Sequence, residues 1–103
     1  MSLAPADVKK EGPLFDVPMA LSYLLAAEEM RFDATTKMFI GELGLDGTIR
    51  PVRGALSVAE VAKREGMHEL YVPEENAAEA ALVSGITVFG VPSLISLVRH
   101  LDT

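Results

Sequence analysis

The sequence predicts a mixed α and β fold (α+β), with one β-hairpin followed by βαβ crossovers. Three observations support this prediction. Asp46-Gly47 lies between two apolar stretches, which is typical of a hairpin turn. After this turn, apolar residues at helical spacing alternate with short apolar runs of strand length. Because right-handed crossovers of this kind join parallel strands, we expect the strands after the hairpin to be parallel.

The first predicted helix begins at Asp16, which suits an N-cap. Pro18 occupies its first turn, where a missing N–H has no cost. We expect this helix to end near Glu28-Glu29. The apolar side chains at helical spacing, which predict one buried face, are Val17, Leu21, Leu24 and Leu25.

Residues 38–43 are predicted to form one strand that enters the hairpin. The preferred turn is a three-residue loop with a bulge, residues 45–47, in which Gly47 adopts the left-handed conformation. This loop pairs Gly44 with Thr48.

The register that follows from this loop places Leu43 opposite Ile49 and Glu42 opposite Arg50. It gives one apolar and one opposite-charge cross-strand pair. A two-residue loop would place Leu43 opposite Arg50, so the three-residue loop is preferred.

Two capping boxes predict the next helices. Ser57-Val58-Ala59-Glu60 is expected to open the second helix, which Gly66 ends as a C-terminal cap. Asn76-x-x-Glu79 is expected to open a helix over residues 77–83. The remaining predicted elements are strands at residues 69–72 and 86–89 and a last helix at residues 92–101.

The composition describes one small domain of 103 residues with a net charge of −6. This acidic balance argues against nucleic-acid binding through a basic face. The absence of cysteine excludes a disulfide framework, a thiolate nucleophile and a cysteine-based zinc site. No apolar run is long enough to cross a bilayer and no signal peptide is evident, so we expect a cytoplasmic location without membrane contact.

The sequence contains no complete motif for phosphate binding, metal binding or a serine nucleophile. The glycines of residues 41–47 have the spacing of a phosphate loop, but no Gly-Lys-Ser or Gly-Lys-Thr occurs in the chain. His68 and His100 have no second ligand at metal-binding spacing, and no serine lies in a nucleophile elbow. We therefore predict no catalytic, cofactor-binding or metal-binding residue.

Arg50 and Arg53 are the candidate partner contacts. They flank Pro51-Val52 just after the hairpin. Arg50 has an expected cross-strand partner in Glu42, whereas Arg53 has none. Arg53 is either a contact to a partner or a phosphate group, or an exposed charge; the exposed charge is the preferred interpretation.

Three blocks of the chain resemble successive parts of one protein family: LAPADVKKEGPLFDVPMAL (residues 3–21), FIGELGLDGTIRPVRGAL (39–56) and YVPEENAAEAALVSGITVFGVPSLISLVRHL (71–101). They are similar to the N-terminal domain of magnesium-chelatase-like AAA+ ATPases of the ComM/YifB family. The resemblance implies the fold of the Lon proteolytic domain (ribosomal protein domain 2-like). It also implies a likeness to the C-terminal domain of RadA.

The resemblance further implies that this chain is an N-terminally truncated piece of a longer protein. Strands and a helix are expected before it, and an AAA+ module that binds ATP and Mg is expected after it. A truncated sheet would expose an edge or an apolar surface, so a homo-oligomer is expected. Other implied partners are the chain's own AAA+ module and its sister subunits, with DNA only in the full assembly.

Lon-type peptidases use a Ser–Lys pair, and the resemblance places both positions in this chain. The residue after Gly12-Pro13 is Leu14, which cannot act as a nucleophile. The position that matches the lysine is Leu56, which cannot act as a base. The resemblance therefore implies a non-catalytic accessory or assembly domain, linked to DNA processing or transformation. The alternatives are a Lon-like Ser–Lys peptidase and a RadA-like DNA-binding scaffold.

Overall fold

A computed structural model describes residues 13–102 of the chain. The part of the N-terminal block before residue 13 lies outside the described residues. Short 3₁₀ turns, Pro13–Phe15 and Glu74–Asn76, precede the first and third helices. The elements are α1 (Asp16–Ala26), β1 (Lys37–Phe39), β2 (Glu42–Leu43), β3 (Ile49–Arg50), α2 (Ala55–Arg64), β4 (Glu69–Pro73), α3 (Ala77–Ala80), β5 (Thr87–Val91) and α4 (Leu94–Leu101).

The strands form a parallel sheet and a separate hairpin, as the sequence predicts. The parallel sheet has the order β1-β4-β5, and its register aligns Phe39, Tyr71 and Phe89. The hairpin pairs β2 with β3 in antiparallel orientation. The mixed α and β class is therefore confirmed. Within the described residues, no helix is long and apolar enough to cross a membrane.

The parallel sheet separates two hydrophobic clusters, because alternate residues of a strand point to opposite faces. On one face, α1 and α4 cover the aligned aromatic side chains. On the other face, α2 and α3 cover Ile40, Leu70 and Val72. Helices on both faces match the apolar character of β4, whose last four residues are buried.

The strand predicted over residues 38–43 is divided into β1 and β2, so that part of the prediction is wrong. Gly41 lies at the break with φ +154°. Its N–H donates to the carbonyl of Leu14, and its carbonyl accepts from the N–H of Val17. A Cβ at Gly41 would lie 2.8 Å from Ile49 Cγ2, so a side chain would clash where the chain bends toward the hairpin.

One predicted helix start and one predicted helix cap are also wrong, although α1 begins at Asp16 as predicted. Phe15, not Asp16, is the N-cap of α1, and the Asp16 carboxylate accepts a hydrogen bond from the N–H of Leu43 at 3.0 Å. The helix α2 begins at Ala55, after Gly54 in the left-handed conformation with φ +81°. Ser57 therefore lies in the first turn, and the N-cap residue Gly54 offers no side-chain cap.

The predictions for the end of α2 and for the last helix hold. The N–H of Gly66 donates to Lys63 and the N–H of Met67 to Ala62, which is a Schellman cap. The helix α4 begins two residues later than predicted, where Ser93 Oγ accepts from the N–H of Ser96. Its predicted apolar face packs on the sheet through Leu94, Leu97, Val98 and Leu101.

Candidate functional site

The hairpin has the predicted turn and register. Leu43 lies opposite Ile49, Glu42 lies opposite Arg50, and the N–H of Gly44 donates to the carbonyl of Thr48. The glycine N–H groups that would face a phosphate in a phosphate loop all donate within the chain, to Leu14, Thr48 and Gly44. The hairpin is therefore a turn and not an anion cradle.

Asp46 fixes the tip of the hairpin. Its Oδ1 accepts from the Thr48 hydroxyl at 2.7 Å and from the Thr48 N–H at 3.1 Å. These two hydrogen bonds lower the pKa of the Asp46 carboxyl, and the charge of Arg50 adds to the effect. Leu45, beside Asp46, is fully exposed at the tip.

The hairpin is attached to the start of α4 through its backbone. The N–H of Ile49 donates to the carbonyl of Pro92, and the N–H of Leu94 donates to the carbonyl of Gly47, both at 2.9 Å. Pro92 follows the last residue of β5. The tip is therefore held rigidly at the carboxyl ends of the parallel strands.

Arg50 and Arg53 are both exposed. Arg50 faces Glu42 in register, but no ion pair joins these two side chains, whereas Lys37 and Glu69 form one. The Arg50 side chain extends across Gly44, where a Cβ would lie 3.0 Å from both Arg50 Nε and Asp46 Oδ1. The predicted pairing of Arg50 with Glu42 is thus correct as strand register and wrong as a charge contact.

Asn76 holds the segment that follows the hairpin. Its side chain is buried, its Oδ1 accepts from the N–H of Val52 at 2.9 Å, and its Nδ2 donates to the carbonyl of Val52 at 3.0 Å. The predicted capping box is wrong, because the amide is used across 24 residues and α3 ends at Ala80. The matching acid, Glu79, accepts from the N–H of Leu56 at 3.1 Å.

Leu14 and Leu56, the two positions that the resemblance matches to the peptidase Ser–Lys pair, lie in different surroundings. Leu14 is half-buried and packs against the cluster that includes Ala55 and Ala59 of α2. Leu56 lies in the first turn of α2, fixed by Glu79. Neither side chain carries a group that can attack a carbonyl or accept a proton.

Other titratable side chains do not converge on a reactive centre. Within the described residues, no three His, Cys, Asp or Glu side chains are placed to hold a metal ion. His68 is exposed, and the ring of His100 packs against Tyr71 and Phe89, with centroids 5.7 and 5.2 Å away. The Tyr71 hydroxyl donates to Glu69, and burial together with this bond raises the pKa of Tyr71.

A shallow groove of about 490 Å³ runs beside α2, a feature that the sequence reasoning missed. Leu82 on its wall is 76% exposed, although it is a large apolar side chain. The neighbouring Lys63 and Arg64 form no ion pair within residues 13–102. The signal in the sequence is the Lys63-Arg64 pair at the end of an amphipathic helix. The lining residues are Leu56, Glu60, Lys63, Arg64, Leu82, Val83 and Ser84.

Comparison with known proteins gives a family match and several relatives. The family described as subunit ChlI of Mg-chelatase matches residues 1–76. Competence protein ComM of Haemophilus influenzae is 35% identical over 103 residues, which is 99% of this chain and 20% of the relative. YifB of Salmonella typhimurium, itself uncharacterized, is 42% identical over 85 residues, 82% of this chain and 17% of the relative. Lon protease 2 of Bacillus subtilis is 28% identical over 88 residues, which is 84% of this chain and 16% of the relative. The chain spans about a fifth of the length of the curated relatives it matches.

Proposed function

The chain belongs to the family described as subunit ChlI of Mg-chelatase, and on that premise we propose that it is a non-catalytic accessory domain of a ComM/YifB-type AAA+ ATPase. Its fold is that of the Lon proteolytic domain, retained without the peptidase chemistry. The domain acts through contacts with its ATPase module and with sister subunits, and so helps to assemble the ATPase.

One observation carries this proposal. The two positions where a Lon-type peptidase has its serine and lysine hold Leu14 and Leu56. Leu14 packs in an apolar cluster, and the backbone of Leu56 is fixed by Glu79. Both positions are thus built into the scaffold. A peptidase that had lost one residue would keep half of a polar pair, whereas here both halves are apolar.

The ATP and Mg²⁺ of the proposed assembly belong to the AAA+ module. ComM is named a competence protein, and the proposal extends that link to this chain as a role in DNA processing or transformation. The net charge of −6 favours DNA contacts elsewhere in the assembly rather than on this domain.

A peptide-hydrolysis assay tests the proposal. The purified chain is incubated with casein and with a fluorogenic peptide, beside Lon protease 2 of Bacillus subtilis as the positive control. We expect no turnover by the chain. Ser57 and Lys63 are the residues that could replace the missing serine and lysine, and Ser57→Ala and Lys63→Ala variants remove them one at a time. Turnover that either substitution abolishes would contradict the proposal, because it would identify a working nucleophile or base in this chain.

A further inference from the structure

The hairpin tip projects an apolar side chain that the rest of the molecule does not cover. Leu45 is 108% exposed, more than in an extended reference chain. The turn that carries it is nevertheless held in place, because Asp46 is hydrogen-bonded to Thr48 and the carbonyl of Gly47 accepts from the N–H of Leu94. An exposed leucine beside a carboxylate on a hydrogen-bonded turn has the properties of an interface anchor, because little loop entropy remains to be lost on binding.

The groove beside α2 offers the complementary surface. Its apolar wall is formed by Leu56, Leu82 and Val83. Lys63 and Arg64 lie at one end and have no acidic partner within residues 13–102. The Lys63 side chain lies along Gly85, where a Cβ would be 3.2 Å from Lys63 Cε, so the ammonium group is directed by packing.

The charges of the two surfaces are opposite. The hairpin carries Glu42, Asp46 and Arg50, which gives a formal charge of −1. The groove carries Glu60, Lys63 and Arg64, which gives +1. In a chain with a net charge of −6, this groove is a local basic site that favours an acidic partner.

The basic end of the groove and the hairpin lie at opposite ends of the parallel strands. The hairpin is bonded to Pro92, at the carboxyl end of β5. Lys63 and Arg64 lie shortly before the start of β4, and residues 82–84 lie shortly before the start of β5. The tip of one molecule therefore cannot reach its own Lys63 and Arg64.

We propose that Leu45 and Asp46 of one copy dock in the α2 groove of the next copy, with Leu45 against Leu56 and Leu82 and Asp46 near Lys63 and Arg64. This contact is head-to-tail, so a linear series of copies keeps one free tip at one end and one free groove at the other. Such heterologous interfaces close into rings or extend into filaments. The inference rests on the proposed assembly function and names the sister-subunit contact.

Two complementary variants test this contact. Leu45→Ser removes the anchor, and Leu82→Glu blocks the groove; both side chains are exposed, so the fold is retained, as circular dichroism checks. We expect the unaltered chain to exceed dimer mass at high concentration in sedimentation equilibrium. Each variant alone is expected to be monomeric. Their equal mixture forms dimers only, because one variant keeps the groove and the other keeps the tip.

A charge reversal adds a second readout. Asp46→Lys is expected to weaken association by about tenfold or more, and mixing it with Lys63→Glu is expected to restore part of the loss. Ile95→Ser, at an exposed apolar position outside the groove, is the matched control and leaves association unchanged. A monomeric unaltered chain at the highest concentration, or variants that still associate alone, would overturn the contact. Neither result would affect the hydrolysis assay, so failure of this inference is distinguishable from failure of the proposed function.

Discussion

The two faces of the parallel sheet are packed in different ways. Toward α1 and α4, the rings of Phe39, Tyr71 and Phe89 stack in a row, with centroids 4.9 and 4.8 Å apart. Toward α2 and α3, small side chains fill the contact: Ala55, Ala59 and Ala80, each fully buried. The face toward α1 and α4, the aromatic face, buries large apolar surfaces. On the face toward α2 and α3, the alanine face, the small side chains bring a helix close to the sheet.

The aromatic face therefore mainly determines the stability of the fold, and the alanine face mainly determines the position of α2. Large buried side chains supply most of the hydrophobic free energy of folding. Alanine contacts supply less, but they set the distance between α2 and the sheet and hence the position of Leu56 and the groove. The two kinds of substitution should therefore have different consequences.

The largest effect is expected on the aromatic face. Phe39→Ala removes a ring that is 1% exposed and stacked on Tyr71, so the free energy of unfolding should fall by about 3–5 kcal/mol. Urea denaturation measures the change. Tyr23→Ala, at an aromatic residue that is 71% exposed, is the control and should change stability by no more than about 0.5 kcal/mol. Equal effects at the two sites would show that the aromatic row does not anchor the fold.

The next effect tests the alanine face. Ala59→Leu adds volume where the side chain is fully buried between α2 and the sheet, so stability should fall by about 1–3 kcal/mol. The same change at exposed Ala78 of α3 is the matched control and should be nearly neutral. An Ala59→Leu protein as stable as the unaltered chain would mean that α2 is not tightly held.

A smaller effect is expected at Asn76. Asn76→Ala leaves the N–H and carbonyl of Val52 without their partner, which should cost about 1–2 kcal/mol because Val52 is only half-buried. Hydrogen exchange at Val52 should accelerate. The predicted loss is local, so unchanged protection at Val52 would contradict the assigned role of Asn76. Asn76→Asp should retain the bond from the Val52 N–H and lose the bond to its carbonyl.

The smallest effect concerns the hairpin tip. Thr48→Ala removes the hydroxyl that donates to Asp46, so the pKa of Asp46 should rise toward its ordinary value. A carboxyl with a lowered pKa in the folded chain stabilises the tip above its unfolded pKa. That stabilisation is lost as the pH falls through the folded pKa. A carbon-detected NMR titration measures the pKa of Asp46 in the unaltered chain and in the Thr48→Ala variant. Identical titrations would show that Thr48 does not hold the tip.

The hairpin and the order of helices and strands could be predicted from patterns among residues close in sequence. The register of β2 and β3 follows from the turn and from two cross-strand pairs, all within nine residues of sequence. The parallel strands follow from the alternation of apolar stretches. These features depend on neighbours in sequence, so reasoning from the sequence alone could reach them.

Contacts between distant residues account for the wrong predictions. Asp16 and Asn76 both suit a helix cap, but their side chains bind Leu43 and Val52, which are 27 and 24 residues away. The groove was missed for the same reason, because it joins α2 to residues 82–84. The predicted absence of catalytic residues and the partner roles of Arg50 and Arg53 stay predictions.

The most direct test of the account is disulfide trapping between hairpin and groove. The chain contains no cysteine, so single Thr48→Cys and Ser84→Cys variants place one thiol beside the tip, with Leu45 kept, and one on the groove wall. Their equal mixture is oxidised, and the mixed and self-linked dimers are separated by mass. We expect the mixed dimer to exceed its statistical share, and an Ile95→Cys variant in place of Thr48→Cys to abolish the excess. A statistical distribution of products in both mixtures would contradict the head-to-tail contact.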